Sequence, residues 1–221
     1  FTIELDGQKI LFDTVFIMIH GTPGEDGLLQ GYFDMLEIPY TTCNAVVSSV
    51  TFNKYFCNKI VSTFEGAKVS TSEVITRHLP YDITMIAQKV GFPCFVKPNA
   101  GGSSIGTTKV HTFDKLQEAI DIAFNEDDEV MIERFLAGKE ITCGVLRSRG
   151  QLISLPLTEV RSKKEFFDFE AKYDPELAEE ITPAPIDETL TKEIQVLSEK
   201  YYDLLNCKGV VRFDYIVDGT E

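Results

Sequence analysis

Lys97 closes a short apolar run, Phe95-Val96, and is followed at once by Pro98-Asn-Ala-Gly-Gly-Ser-Ser-Ile-Gly106. That order of residue types is suited to gripping phosphate. Pro98 stops a strand, Gly101, Gly102 and Gly106 let the backbone turn its N–H groups toward an anion, and Ser103 and Ser104 add hydroxyl donors. Lys97 would then be a fixed point charge beside the phosphates. The spacing is neither the GxxxxGK[ST] of a P-loop nor the GxGxxG of a Rossmann turn, which removes the two commoner nucleotide motifs. A glycine-rich stretch alone is more often a plain loop, so the reading needs support from elsewhere in the chain.

Four further segments could carry chemistry. Glu133-Arg-Phe-Leu-Ala-Gly-Lys-Glu140 follows the apolar run Val130-Met-Ile132, and His20-Gly-Thr-Pro-Gly-Glu-Asp-Gly27 follows the apolar run Val15 to Ile19. Phe166-Phe-Asp-Phe-Glu-Ala-Lys-Tyr173 sits in a charged, aromatic-bearing stretch, and Val210-Val-Arg-Phe-Asp-Tyr215 reads as a strand. On that strand Arg212 and Asp214 lie two apart and share a face, while Val211, Phe213 and Tyr215 turn to the other. Such a pair is compatible with a structural salt bridge as well as with function. His20 is equally compatible with a satisfied structural histidine, and Lys54 with a solvated helix lysine.

The elements that must position these residues form an α/β pattern. Val15 to Ile19 is short and continuous enough for a buried parallel strand, with Pro39 to Cys43 a second short strand or its exit. A helix is expected from about Ser48 through Phe52, Tyr55, Phe56 and Ile60 to near Gly66, which puts Lys54 on it. A strand at Phe95, a helix behind Thr112, and a strand at Val130 to Ile132 complete a central region. Glu140 to Leu146 and Leu152 to Leu157 alternate as antiparallel strands, and 161–184 is a long connection without sustained period, a length that usually has a function. A helix behind Asp187 and a strand from Val210 to Val217 close the chain. The expected domains are 1–47, 48–132 and 133–221.

Composition narrows the classes. The chain has 221 residues, 43% of them hydrophobic and 25% charged, which is ordinary globular composition. Its net charge of −14 and scattered lysines and arginines disfavour nucleic acid and anionic membrane surfaces as partners. The five cysteines form no CxxC pair and are odd in number, pointing to a reduced, cytoplasmic setting; no apolar run approaches a membrane span, and the three histidines are too far apart for a zinc site. A start at Phe1 without methionine and an end just after Asp218-Gly-Thr220, a turn signal, read as part of a longer chain.

Taken together, HGTPGEDG, FVKPNAGGSS, ERFLAGKE, FFDFEAKY and VVRFDY resemble, in order and spacing, the D-alanine–D-alanine ligases of the ATP-grasp superfamily. The resemblance covers essentially the whole chain. It implies an N-terminal Rossmann-like domain and ATP held between a central and a C-terminal α+β subdomain. It also implies ligation of two D-alanines through a D-alanyl phosphate, for peptidoglycan synthesis, with ATP and two magnesium or manganese ions, in a homodimer. Under it, Lys54 and Lys97 meet the phosphates, with Ser104 in the loop. Glu133 accepts from the adenine amine, the backbone of Arg134 and Leu136 reads the ring edge, Phe135 packs nearby, and Glu140 takes the ribose hydroxyls. Arg212 stabilises the oxyanion, Asp214 binds metal, and His20 lies near the first substrate carboxylate. The segment 161–184 becomes a lid, with Lys172 at the transferred phosphate and Tyr173 hydrogen-bonded toward Ser103. The family's first strand and its acidic-Asn metal motif fall outside these residues. Rival readings are a D-alanine–D-lactate ligase, disfavoured by Tyr173 where the lactate enzymes resemble this loop with phenylalanine, another ATP-grasp carboxylate-amine ligase, and a nucleotide-binding module without catalysis.

Overall fold

The computed structural model describes residues 2–162 and 178–218; Lys172, Tyr173 and most of the expected lid lie outside them. The strands β1 (Thr2–Leu5) and β2 (Gln8–Leu11) precede the helices α1 (Leu28–Met35), α2 (Ala45–Phe52) and α3 (Lys54–Val61). Then come β3 (Ser72–Thr76), α4 (Ile83–Val90), β4 (Cys94–Pro98), β5 (Thr108–Val110), α5 (Leu116–Ala123) and β6 (Glu129–Arg134). The chain continues through β7 (Lys139–Ser148), β8 (Gln151–Ser154), β9 (Thr158–Ser162), β10 (Ala178–Ile181), α6 (Glu188–Leu204) and β11 (Val210–Val217). Two compact units result: Phe1–Phe52 with Cys143–Leu155 and Glu188–Phe213, and Asn53–Thr142 with Pro156–Asp187 and Asp214–Glu221.

The second unit is built on an antiparallel sheet of order β3-β6-β4-β5. Strand pleating sends successive side chains to opposite faces. Cys94 and Val96 of β4 and Val130 and Ile132 of β6 are fully buried on one face, in a core shared with Val90 of α4 and Leu116, Ile120 and Ala123 of α5. Burying such an aliphatic side chain contributes about 1.5–3 kcal/mol, so this face anchors the sheet. Phe95, Lys97, Met131 and Glu133 occupy the opposite face. α4 forms where Asp82 caps it, its carboxylate accepting from the N–H groups of Thr84 (2.9 Å) and Met85 (3.1 Å). In the same unit β9 pairs with β10 and with the first residues of β7.

The first unit opens with the β1-β2 hairpin, whose Asp6-Gly7 loop has both φ angles positive (50° and 74°), the geometry of a type I′ turn. Arg149-Gly150 repeats it between β7 and β8 (49° and 83°). α1 packs Phe33 against Ile17 and Ile38. α6 runs along β8, with Glu199 accepting from the Ser154 hydroxyl at 2.8 Å, and Tyr202, 1% exposed, donates to the carbonyl of Gly209 at 2.9 Å.

Several expectations from sequence need correcting. Val15 to Ile19 forms no strand ladder; a single parallel bridge joins Val15 to Tyr40, and only Ile17 is buried while Phe16 and Met18 are 72% and 78% exposed. An apolar run becomes a buried strand only where both faces are covered, and here one is. The helix expected from Ser48 to near Gly66 is two helices, starting earlier at Ala45 and broken at Asn53, which pairs with Ala100 and caps α3 by accepting from Phe56 N–H at 2.9 Å. The connection 161–184 contains the end of β9 and all of β10; Ala178-Glu-Glu-Ile181 has no apolar period because it is an edge strand held by its backbone ladder to β9. β1, β2, α1, β3, α4, β5 and β9 are not among the expected elements. No helix among the described residues is long and apolar enough to cross a membrane.

All five cysteines are free, and their environments differ. A hydrogen bond from Cys207 pulls the Cys43 thiol down to about 7 against its burial, with help from the Lys208 N–H at 3.3 Å. Burial alone pushes Cys94 up to about 11 and raises Cys57. Because the thiolate is the nucleophile, alkylation of Cys43 in the folded protein should rise as pH increases through about 7, ahead of Cys94. Peptide mapping after timed iodoacetamide exposure measures this; equal labelling of Cys43 and Cys94 at pH 7.5 would refute the difference in environment.

Candidate active site

The open face of the second unit's sheet ends at a cavity of about 470 Å³. Its lining joins five separate stretches: Lys54 at the start of α3; Phe95, Lys97 and the loop through Thr107; Glu126; Glu140 of β7; and Asp214 and Ile216 of β11. Of the residues singled out from sequence, Lys54, Lys97, Ser103, Ser104, Glu140 and Asp214 are thereby brought together. Ser103 and Ser104 both adopt left-handed backbone (φ 54° and 57°), which L residues rarely do and which holds two consecutive hydroxyl-bearing residues in a tight turn.

The loop's entrance is held by buried polar groups. Asn99 is 1% exposed; its N–H donates to the Glu129 carbonyl at 2.9 Å, its Nδ2 to Glu129 Oε2 at 2.7 Å, and its Oδ1 accepts from the Tyr55 N–H at 2.9 Å. The next N–H, of Ala100, donates to Asp127 Oδ2 at 2.6 Å. Lys54 Nζ donates to the carbonyls of Pro98 (2.9 Å), Asn99 (3.3 Å) and Gly101 (2.9 Å). Lys54 is therefore a brace of the loop, not a solvated helix lysine. Sequence reasoning assigns no role to Asn99, Glu129 or Asp127.

Lys97 forms an ion pair with Glu133, their side chains 22% and 16% exposed. The register explains it: Glu133 lies opposite Phe95, so Lys97 is its diagonal neighbour on the same face. Phe135 meets Phe95 edge to face at 5.8 Å between ring centroids, and Lys109 Nζ sits 3.8 Å from the Phe135 centroid. Arg134 turns to the other side, its Nε donating to the Val90 carbonyl at 2.8 Å. Its backbone is also engaged, N–H with the Thr71 carbonyl (2.9 Å) and C=O with the Ser70 hydroxyl (2.7 Å). Leu136, just beyond, is 43% exposed. Glu133, Arg134, Phe135 and Leu136 are not part of the cavity lining.

His20 and Arg212 belong to the first unit. His20 lies 3.4 Å from Glu25, whose carboxylate also accepts from the Gly21 N–H at 2.5 Å and so shapes the HGTPGEDG loop. Along β11 exposure alternates, placing Arg212 and Asp214 on its exposed side as their spacing predicts.

The cavity's charges decide which ligand it can take. Two lysines face three carboxylates, Glu126, Glu140 and Asp214, so the lining alone is no strong trap for a phosphate chain. Among the described residues no group of three or more His, Cys, Asp or Glu side chains could hold a metal ion.

A profile described as D-ala D-ala ligase C-terminus matches residues 67–221, and one described as D-ala D-ala ligase N-terminus matches residues 2–43. The chain belongs to the D-alanine–D-alanine ligase family. It is 48% identical over 221 residues to the D-alanine–D-alanine ligase of Phocaeicola vulgatus, covering all of this chain and 68% of that one. The Porphyromonas gingivalis D-alanine–D-alanine ligase is 49% identical over 220 residues, 99% of this chain and 66% of that. Among solved structures, the VanG D-Ala:D-Ser ligase of Enterococcus faecalis superposes with a TM-score of 0.84 at 34% identity, over 96% of this chain and 62% of that one. D-alanyl-alanine synthetase A of Vibrio cholerae gives 0.86 at 26% identity, over 99% and 67%. The chain thus spans about two thirds of the length of its family relatives.

The ion pair on the sheet's open face can be measured. Lys97→Met and Glu133→Gln should each lower unfolding free energy by about 1–3 kcal/mol, because each leaves a partly buried polar partner behind. The double variant should cost less than their sum, with a coupling of about 0.5–3 kcal/mol in a urea-denaturation cycle. Strictly additive losses would show that the two side chains do not interact.

Proposed function

We propose that this chain is the greater part of an ATP-dependent D-alanine–D-alanine ligase, making D-alanyl-D-alanine for peptidoglycan. What supports the reading is the one cavity that gathers Lys97, the Ser103-Ser104 turn, Glu140 and Asp214, in a member of this ligase family. The domains we assign are 1–47 for the first substrate, and 48–132 and 133–221 as the two halves that hold ATP. We also assign it to the cytoplasm, as a homodimer.

In this reading the γ-phosphoryl group of ATP passes to the carboxylate of one D-alanine. The amine of a second attacks the acyl phosphate carbon, and the tetrahedral intermediate expels phosphate. No side-chain nucleophile is needed, so positioning and charge stabilisation carry the reaction. Lys97 neutralises phosphate charge at the end of β4, Lys54 holds the loop whose Ser103 and Ser104 face the phosphates, and Glu140 takes the ribose. Glu133, Phe135 and Leu136 form the adenine end, with Leu136 rather than Arg134 offering the backbone contact. Arg212 stabilises the oxyanion, and His20 lies by the first substrate's carboxylate. Lys172 and Tyr173 keep the roles their motif implies. Magnesium, when bound at Asp214, would supply charge shielding on the transferring phosphates.

The test is phosphate release by the full-length protein supplied with ATP, magnesium and D-alanine, with L-alanine, D-serine and D-lactate as comparison substrates. D-alanine-dependent release with a dipeptide product is expected; ATP binding without any turnover would favour a binding module. Lys97→Met should weaken ATP binding about 10–100-fold, and Arg212→Met should lower kcat about 100–1000-fold with ATP affinity near normal. An Arg212→Met protein that turns over normally would remove that residue from the oxyanion site.

A further inference from the structure

One carboxylate ties together the two segments that bring lysines to the cavity. Glu129, at the first position of β6, accepts on its Oε2 from Asn99 Nδ2 at 2.7 Å and from Asn53 Nδ2 at 3.3 Å. Asn99 opens the glycine loop directly after Lys97 and Pro98. Asn53 immediately precedes Lys54 and caps α3. Lys54 in turn donates to three carbonyls of the same loop entrance. Asp127 closes the circuit, one oxygen accepting from the Ala100 N–H at 2.6 Å and the other from the Glu129 N–H at 3.1 Å.

We propose that Glu129 is a positioning residue for phosphate recognition, setting the glycine loop and Lys54 in register with Lys97 while touching no ligand itself. The proposal rests on the nucleotide reading of the cavity. Its physical basis is that an irregular loop has no ladder to fix it, so the direction of its N–H groups depends on whatever holds its entrance. Here that hold is a partly buried amide–carboxylate junction in which Asn99 itself is 1% exposed, so loss of its acceptor leaves a buried amide donor unpaired. Glu129 is not among the cavity-lining residues, whereas Lys54, Ala100 and Gly101 are. Among the described residues its side-chain hydrogen bonds go only to the asparagines that open the glycine loop and cap α3.

That pattern provides the test. In the full chain, dissociation constants for a non-hydrolysable ATP analogue and for adenosine are measured by calorimetry or competition. Glu129→Ala should weaken the ATP analogue about tenfold or more and leave adenosine within about twofold, since adenosine makes no phosphate contact. Glu129→Gln, which keeps an oxygen able to accept from both asparagines, should recover most of the affinity. Should Glu129→Ala fail to fold, Asn53→Ser keeps an N-cap oxygen but drops the amide donor, and should weaken the analogue by about threefold with adenosine unaffected. Equal weakening of both ligands, or an unchanged ATP constant in a folded variant, would overturn the proposal alone. An unmodified protein that binds neither ligand would overturn the nucleotide reading and this inference with it.

Discussion

The hydrogen bond between buried Asn99 and Glu129 is the interaction that fixes the entrance of the glycine loop. β4 must end where its lysine is needed, and the chain beyond must turn sharply without a neighbouring strand to take up its polar groups. Left to water, such a segment would sample many conformations, and ordering it on ligand binding would cost affinity. The structure settles it beforehand: the Asn99 amide bonds to Glu129, the Ala100 N–H to Asp127, and the Lys54 ammonium to three loop carbonyls. The left-handed turn at Ser103 and Ser104 follows from an entrance already fixed.

The sheet beneath that loop divides its labour by face. Cys94, Val96, Val130 and Ile132 carry the packing energy against α4 and α5, which leaves the alternate positions Phe95, Lys97 and Glu133 outside that core. A one-residue slip of β4 against β6 would bury Lys97 in the apolar core, so hydrophobic burial on one face fixes the placement of charge on the other. Across the open face, Lys97 pairs with Glu133 beside a lining that also holds Glu126, Glu140 and Asp214. In a chain with a net charge of −14, any anionic ligand depends on cations placed locally, and Lys54 and Lys97 are the two lysines in that lining.

How much of this was readable beforehand varies from residue to residue. Lys97 and the GGSSIG turn announce themselves because a strand followed by proline, glycines and serines has few other uses for a lysine at that point. Arg212 and Asp214 share a face of β11 by simple two-residue period. Lys54 was harder, since helix periodicity says nothing of the carbonyl cage its ammonium enters, and the break at Asn53 depends on a partner at Ala100, far away in sequence. Glu129 and Asp127 carry no local signal because their roles are set by what they touch. β10, polar and at an edge, carried no apolar signal at all.

The sequence by itself determined the family, the strand that ends in Lys97, the helix from 188 to 204 and the final strand, because local pattern and motif spacing are properties of neighbouring residues. Only the tertiary structure decided that Glu133 answers Lys97, that Arg134 spends its backbone on Ser70 and Thr71, and that Lys54, Glu140 and Asp214 reach one cavity with the glycine loop. These depend on strand register and on contacts between residues tens of positions apart. Such contacts are fixed by the burial of a whole core, and no local period along the chain encodes them.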